Sequence, residues 1–324
     1  MRYRQPMFRL VHISDPHLGP VPDFEFRDYF NKRIFGLLNW KGNRNRFMSA
    51  RWREELIAEF QKVRPDHIAV TGDVTNLALR LEFLRGRDWL QSLGASGDVS
   101  VIPGNHDAYI AGAFARYGDA WAPFMSGDET PGTVAFPYLR RRDGVALIGT
   151  TTAVAMPPLL AGGLFGRGQA KRLHAMLSDP ALAGDFKIVM IHHPPHSGAT
   201  ARRRSLFDAR VFRRAIRSVG ADLILHGHTH LPTFAELEGP YGPVPVIGVA
   251  AASNGPGASR PAGRYNLFEI ERTDGTGEAA WTCRWTERGF NSVSGDLVTF
   301  RDRASIDPRI ILDPPKLAPM PAAR

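Results

Sequence analysis

Five short motifs in a fixed order constrain this chain more than any other feature. They are Asp15-Pro16-His17, Gly72-Asp73, Gly104-Asn105-His106-Asp107, His192-His193-Pro194 and Gly227-His228-Thr229-His230. Each ends or directly follows an apolar run, so a fold that turns the runs into strands carries the motifs to strand ends, where α/β proteins keep their chemistry. The runs at 8–13, 67–71, 100–102, 145–149, 187–191 and 222–225 read as short buried strands. Apolar residues at helical spacing over 51–63, 79–93, 168–177 and 209–219 place helices between several of them. The alternation predicts an α/β sheet layered with helices. After His230 the character changes. Runs at 244–249, 265–271, 278–286 and 296–301 are joined by turn-rich segments, Thr273-Asp274-Gly275 being the clearest, and predict a second sheet of largely antiparallel strands.

At 324 residues the chain is long enough for one large α/β domain, expected over 1–303 with a helical insertion at about 20–64. Residues 304–324 are proline-rich and read as an extended or disordered tail. No apolar stretch is long enough to span a bilayer, and residues 1–10 carry three arginines without a signal-like apolar block. The single cysteine, Cys283, rules out an internal disulfide framework and suits a reducing compartment. The expected location is cytoplasmic, peripheral at the inner membrane face if the insertion reaches lipid.

The net charge of +9 calls for a polyanionic partner: phosphorylated substrate, nucleic acid or an anionic membrane. The surplus is concentrated between Phe24 and Arg53, where Arg27, Lys32, Arg33, Lys41, Arg44, Arg46, Arg51 and Arg53 face only Glu25 and Asp28. Arg140-Arg141-Arg142 and Arg202-Arg203-Arg204 read as compositional bias toward arginine. In the insertion, Phe26, Tyr29, Phe30, Ile34, Leu37 and Leu38 recur at helical spacing and lead to Trp40. Two readings fit: a lid whose apolar stripe packs on the domain while its arginines attract phosphate, or a basic amphipathic helix lying in a membrane interface over residues 24–53. The packed lid is favoured, because apolar stripes are usually core.

The motif residues form a ligand set for two cations. A carboxylate placed between two ions can bridge them, and Asp73 is the candidate. Asp15 and His17 can converge on one ion if the backbone turns there; Asn105 offers an amide oxygen, and His192, His228 and His230 offer imidazole nitrogens. A mixed N/O set without thiolates suits transition metals such as Mn, Fe or Zn. Two such ions can clamp a phosphoryl group and generate hydroxide at neutral pH. His192 and His193 compete for one role. His226 reads as a packing or hydrogen-bonding residue and His12, His67 and His174 as structural; His196 could reach the site mouth, a disfavoured reading.

On these motifs the chain resembles the calcineurin-like metallophosphoesterases, over roughly residues 8–249. The resemblance implies a four-layer sandwich, two mixed β-sheets flanked by helices, here with a basic helical insertion. It implies that Asp15, His17, Asp73 and His230 hold one metal and Asp73, Asn105, His192 and His228 the other. His192 is preferred over His193 because the family pattern is His-x-Pro. His106 is implied to face the phosphate, and Asp107 to orient His106 or support its loop.

The expected activity is hydrolysis of a phosphodiester, of cyclic-nucleotide or glycerophosphodiester type, by in-line attack of a metal-bridging hydroxide. The alternative is a phospholipid or lipid-linked pyrophosphate hydrolase at the membrane surface. A non-catalytic binding platform would have lost ligands, and this chain keeps them all. A nucleic-acid enzyme is disfavoured because the basic residues are not interleaved with aromatics along a groove. Oligomeric state is left open.

Overall fold

Two six-stranded mixed sheets account for every strand in the computed structural model, which describes residues 7–24, 26, 28, 31–40, 42, 48–273 and 280–305. The first sheet is ordered β12-β11-β10-β1-β2-β3, with β1 (Phe8–Ile13), β2 (His67–Val70), β3 (Val99–Val101), β10 (Arg264–Thr273), β11 (Ala280–Phe290) and β12 (Leu297–Ser305). The second is ordered β4-β5-β6-β7-β9-β8, with β4 (Tyr138–Arg142), β5 (Val145–Gly149), β6 (Phe186–Met190), β7 (Leu223–His226), β8 (Thr233–Gly239) and β9 (Gly242–Gly248). The helices are α1 (Arg33–Asn39), α2 (Ala50–Gln61), α3 (Arg80–Leu93), α4 (Ala113–Tyr117), α5 (Arg167–Leu177) and α6 (Ala209–Val219).

The strands after His230 do not make a sheet of their own, which corrects the expectation from their local pattern. β8 and β9 extend the second sheet, β9 running parallel to β7, while β10 to β12 extend the first, β10 pairing antiparallel with β1. The reason is β1 itself. Its residues from Leu10 to Ile13 are buried, and it needs a partner on each edge: β2 supplies a parallel one and β10 an antiparallel one. Periodicity cannot reveal which edge a distant strand will fill.

Side-chain alternation on β6 shows how the layers separate. Ile188 and Met190 point into the main core with Leu10, Ile13 and Val70 of the first sheet, whereas Val189 and Ile191 join a second core with Leu173 of α5 and Phe212 and Ile216 of α6. Leu56 and Phe60 of α2 and Phe83 and Leu90 of α3 cover the first sheet's far side within the main core. The parallel strands β1, β2, β3, β6 and β7 therefore end at one edge of the sandwich, and the five motifs follow them there.

The arginine cluster on β4 has structural work. Arg140, 3% exposed, reaches from β4 across to β3, donating to the carbonyls of Ser126 (2.9 Å), Val99 (2.7 Å), Pro123 (2.6 Å) and Ser96. Arg141 pairs with Asp185 through two nitrogens, and Arg142 with Asp128. Replacing Arg140 with methionine would strip four acceptors of a charged donor, so urea denaturation should show a loss of about 3 kcal/mol.

The insertion also departs from the expected stripe. In α1 it is Arg33 that turns inward, donating to the Leu77 carbonyl (2.9 Å), the Ala78 carbonyl and the Asp28 carboxylate. Phe26 and Leu38 of the stripe turn outward, 82% and 63% exposed, as does Phe35 outside it (57%), while Trp40 is buried against Gly19. A guanidinium given three acceptors overrides the apolar wheel, because each of its three nitrogens donates to protein without water. Glu25, Arg27, Tyr29, Phe30, Lys41, Arg44 and Arg46, the turn residues Asp274 and Gly275, and the tail from 306 onward lie outside the described residues.

Candidate metal centre

The loops after β1 and β2 are laced together by backbone hydrogen bonds from Asp15 to Gly72 (3.0 Å), His17 to Asp73 (3.1 Å) and Leu18 to Val74 (2.9 Å). This lacing sets Asp15, His17 and Asp73 side by side. It needs an unusual backbone: Asp15, His17, Asp73, His228 and His230 all have positive φ, between 38° and 67°. Each non-glycine residue there costs about 1–3 kcal/mol, strain that is characteristic of functional sites. Two glycines make room. A methyl at Gly72 (φ +98°) would lie 2.7 Å from the Gly104 nitrogen and the His192 ring, and one at Gly227 would collide with Ser14 and the Asp15 carboxylate.

Each carboxylate spends one oxygen on the backbone. Asp15 Oδ2 accepts from the His228 amide (3.0 Å), and Asp73 Oδ1 from the His106 amide (2.7 Å). The other oxygens face imidazoles. Asp15 Oδ1 is buried without a hydrogen-bond donor, 3.2 Å from His230 Nε2 and 4.0 Å from His17 Nε2. Asp73 Oδ2 lies between two groups, 3.9 Å from His17 Nε2 and 3.3 Å from His192 Nε2. Asn105 Oδ1 is 3.2 Å from His192 Nε2 and 2.9 Å from His228 Nδ1.

Backbone carbonyls decide the tautomers. His17 Nδ1 is 3.2 Å from the Thr75 carbonyl, His192 Nδ1 2.7 Å from that of Thr71, and His228 Nε2 2.8 Å from that of Arg204. A carbonyl only accepts, so each of these nitrogens carries the proton in the neutral ring. When the rings are neutral, the opposite nitrogens of His17, His192 and His228 therefore aim lone pairs at carboxylate and amide oxygens. Acceptors aimed at acceptors in a buried site call for a cation between them. Oriented imidazoles of this kind are how proteins prepare ligands for a metal, so the residues present fit two metal ions.

The electrostatics agree. Burial tends to raise the Asp15 and Asp73 carboxyls, but the facing histidines outweigh it, His230 and His192 at Asp15 and His192 and His106 at Asp73, and both are held below the ordinary carboxylate range. Burial alone would lower His192, yet Asp73 and Asp15 drive it up to about 9, so that without a metal a proton on Nε2 faces Asp73 where a cation would otherwise lie. His228 is lowered by burial and then by His193 and His192. The pocket is thus anionic and attracts positive charge.

His106 stands at the rim, partly exposed, its Nδ1 2.6 Å from the Asn76 carbonyl, edge-on to His17 and stacked on Tyr109. A carbonyl only accepts, so with the ring neutral the proton is on Nδ1 and the lone pair on Nε2. Asp107 is fully buried and braces the loop, accepting from Thr75 N (2.8 Å), Thr75 Oγ1 (2.9 Å) and Gly104 N (2.8 Å). Burial and then the charge of Asp73 push its carboxyl up to about 7.

Among the competing histidines, His193 has both nitrogens engaged, Nδ1 with Thr152 Oγ1 (2.7 Å) and Nε2 with the Ala161 carbonyl (3.2 Å), although it lies within ligand distance of His192 and His228. His226 contacts the Gly227 carbonyl and Thr233, His12 contacts Thr71 and Asn266, and His67 contacts Ser100. His174 is exposed on α5, and His196 packs on His226 beside the centre. Sequence reasoning missed Arg260, which donates to the Thr229 carbonyl, and Lys32, which lies over the Tyr109 ring at 4.4 Å and donates to the Met156 carbonyl. It also missed the orienting carbonyls of Thr71, Thr75 and Arg204. Every residue has a carbonyl, so no sequence signal marks them.

A family model described as calcineurin-like phosphoesterase matches residues 8–232. No curated protein matches the sequence. Among solved structures, a dimetal phosphatase from Danio rerio aligns with a TM-score of 0.54 at 14% identity, covering 91% of this chain and 100% of that one. A purple acid phosphatase from yellow lupin (Lupinus luteus) seeds aligns with a TM-score of 0.50 at 11% identity, covering 91% of this chain and 53% of that one. At these identities the two structures show a shared fold. No helix among the described residues is long and apolar enough to cross a membrane.

Proposed function

The chain belongs to the calcineurin-like phosphoesterase family, and on that premise we propose that it hydrolyses a phosphodiester using two transition-metal ions, of Mn, Fe or Zn type. Asp15, His17, Asp73 and His230 would hold one ion, and Asp73, Asn105, His192 and His228 the other. The observation that carries this reading is the convergence of the His17 and His192 Nε2 atoms on the same Asp73 oxygen. Such ions would supply Lewis acidity toward the phosphoryl oxygens and a hydroxide nucleophile at neutral pH.

The chain's own residues do the rest. Asp73 joins the two halves of the centre, and its buried, ionised carboxylate keeps them at a fixed spacing. The Thr71, Thr75 and Arg204 carbonyls hold the imidazoles in register. His106 carries a proton on Nδ1 toward Asn76, which directs Nε2 to the substrate; protonated there, it donates to the leaving oxygen as the P–O bond breaks. A diester suits the charge balance better than a monoester. Arg260 and Lys32 are engaged with carbonyls and Arg33 with Asp28, and the Arg202–Arg204 turn lies on the rim outside the ligand set, which favours a phosphate of single negative charge.

The test is to strip the protein with a chelator, reload it with Mn²⁺, and compare bis-p-nitrophenyl phosphate with p-nitrophenyl phosphate. Turnover of the diester restored by metal is expected. Preference for the monoester would overturn the diester assignment, and no turnover of either with two metals bound would overturn the hydrolase reading for this centre.

A further inference from the structure

Eleven large apolar side chains are well exposed among the described residues, and six of them lie on segments that border the metal centre. Scattered exposure is ordinary, but concentration around one site is not. The loop joining β5 to α5 carries Leu159, Leu160 and Leu164, 87%, 38% and 44% exposed, and the segment before α6 carries Phe207. The two segments are zipped together by Ala161 N to Arg203 O (3.0 Å), Gly163 N to Ser205 O (3.1 Å) and Phe207 N to Gly163 O (3.0 Å). Both also touch the centre, through Ala161 to His193 and Arg204 to His228. On the other side, Lys32 ties Met156 of the same loop to the start of α1, whose Phe35 and Leu38 face outward.

Arginines lie alongside this apolar rim. Arg202, Arg203 and Arg204 form an exposed turn, and none makes an ion pair among the described residues. With a chain charge of +9, the rim combines projecting Leu and Phe side chains with adjacent positive charge. That combination is the signature of a surface that seats on anionic lipid, the apolar side chains entering the acyl boundary and the guanidiniums meeting headgroup phosphates.

We propose that this rim docks the protein on an anionic bilayer, so that the substrate is an amphiphilic phosphodiester presented at the membrane surface. The substrate part of the proposal rests on the hydrolase reading above; the docking face stands on its own geometry. The contact overlaps the one expected at 24–53 only at Phe35 and Leu38. Trp40 is buried, and the three arginines assigned to compositional bias supply the charge.

Co-sedimentation of the full chain with vesicles of phosphatidylcholine, alone or mixed with phosphatidylglycerol, tests it. Binding to the mixed vesicles, released by salt, is expected, with little binding to phosphatidylcholine alone. The pairs Leu159→Glu/Leu160→Glu and Arg202→Glu/Arg203→Glu should each weaken it at least roughly tenfold. Retained metal-dependent turnover of soluble bis-p-nitrophenyl phosphate would show that both variants are folded. Wild-type protein that stays in the supernatant, or variants that bind as well as wild type, would overturn the proposal. So would a concentration-dependent dimer lost in Leu159→Glu/Leu160→Glu without vesicle binding, which assigns the face to a second copy. Vesicle binding by a protein inert toward both nitrophenyl esters would support docking while sinking the chemistry.

Discussion

Asp73→Asn is expected to lower metal-dependent diester turnover by at least about 10⁴-fold, a loss of roughly 5–6 kcal/mol in transition-state stabilisation. The substitution is close to isosteric, and the asparagine oxygen can still accept from the His106 amide, now 2.7 Å from Asp73 Oδ1. What disappears is the charge on Oδ2, the atom that faces His17 at 3.9 Å and His192 at 3.3 Å. A neutral amide cannot offset the repulsion of two cations at close range. Metal analysis should therefore find at most one ion where the wild type takes two, with the circular dichroism spectrum unchanged. A variant that kept both metals and near-normal turnover would remove Asp73 from the bridging role.

His106→Ala should behave differently. Its ring is held by the Asn76 carbonyl and stacks on Tyr109, outside the two groups of ligand atoms. Metal content should stay at the wild-type level. Turnover of a diester with an alkyl leaving group should fall by about 10²–10⁴-fold, the usual contribution of a positioned acid. With p-nitrophenolate, which leaves without a proton, the loss should be clearly smaller. Equal losses for both leaving groups would make His106 a stabiliser of phosphoryl charge and not a proton donor; loss of metal would make it structural.

Much of this was legible along the chain because the relevant signals are local. An apolar run of four to six residues followed by a ligand-type motif reports a buried strand ending in a loop, and β1, β2, β5, β6 and β7 fall within a residue or so of their expected places. β4 and β8 were not seen. Both are edge strands with partly exposed sequences, Tyr-Leu-Arg-Arg-Arg in one and Thr-Phe-Ala-Glu-Leu-Glu-Gly in the other, which resemble loops or turns by composition. The inward turn of Arg33 was invisible for a related reason: its acceptors, the carbonyls of Leu77 and Ala78, lie more than forty residues away.

The sequence by itself determined the α/β class, the order of the motifs and the inventory of carboxylate, amide and imidazole groups, since these depend on residue type and short-range pattern alone. Tertiary structure decided the rest. It set which sheet each late strand joined, which nitrogen of each histidine was freed by a distant carbonyl, and which arginines were consumed by the fold. It also gathered Leu159, Phe207 and Arg202–Arg204 beside one centre. Those outcomes depend on contacts between segments far apart in the chain, and local propensity carries no record of them.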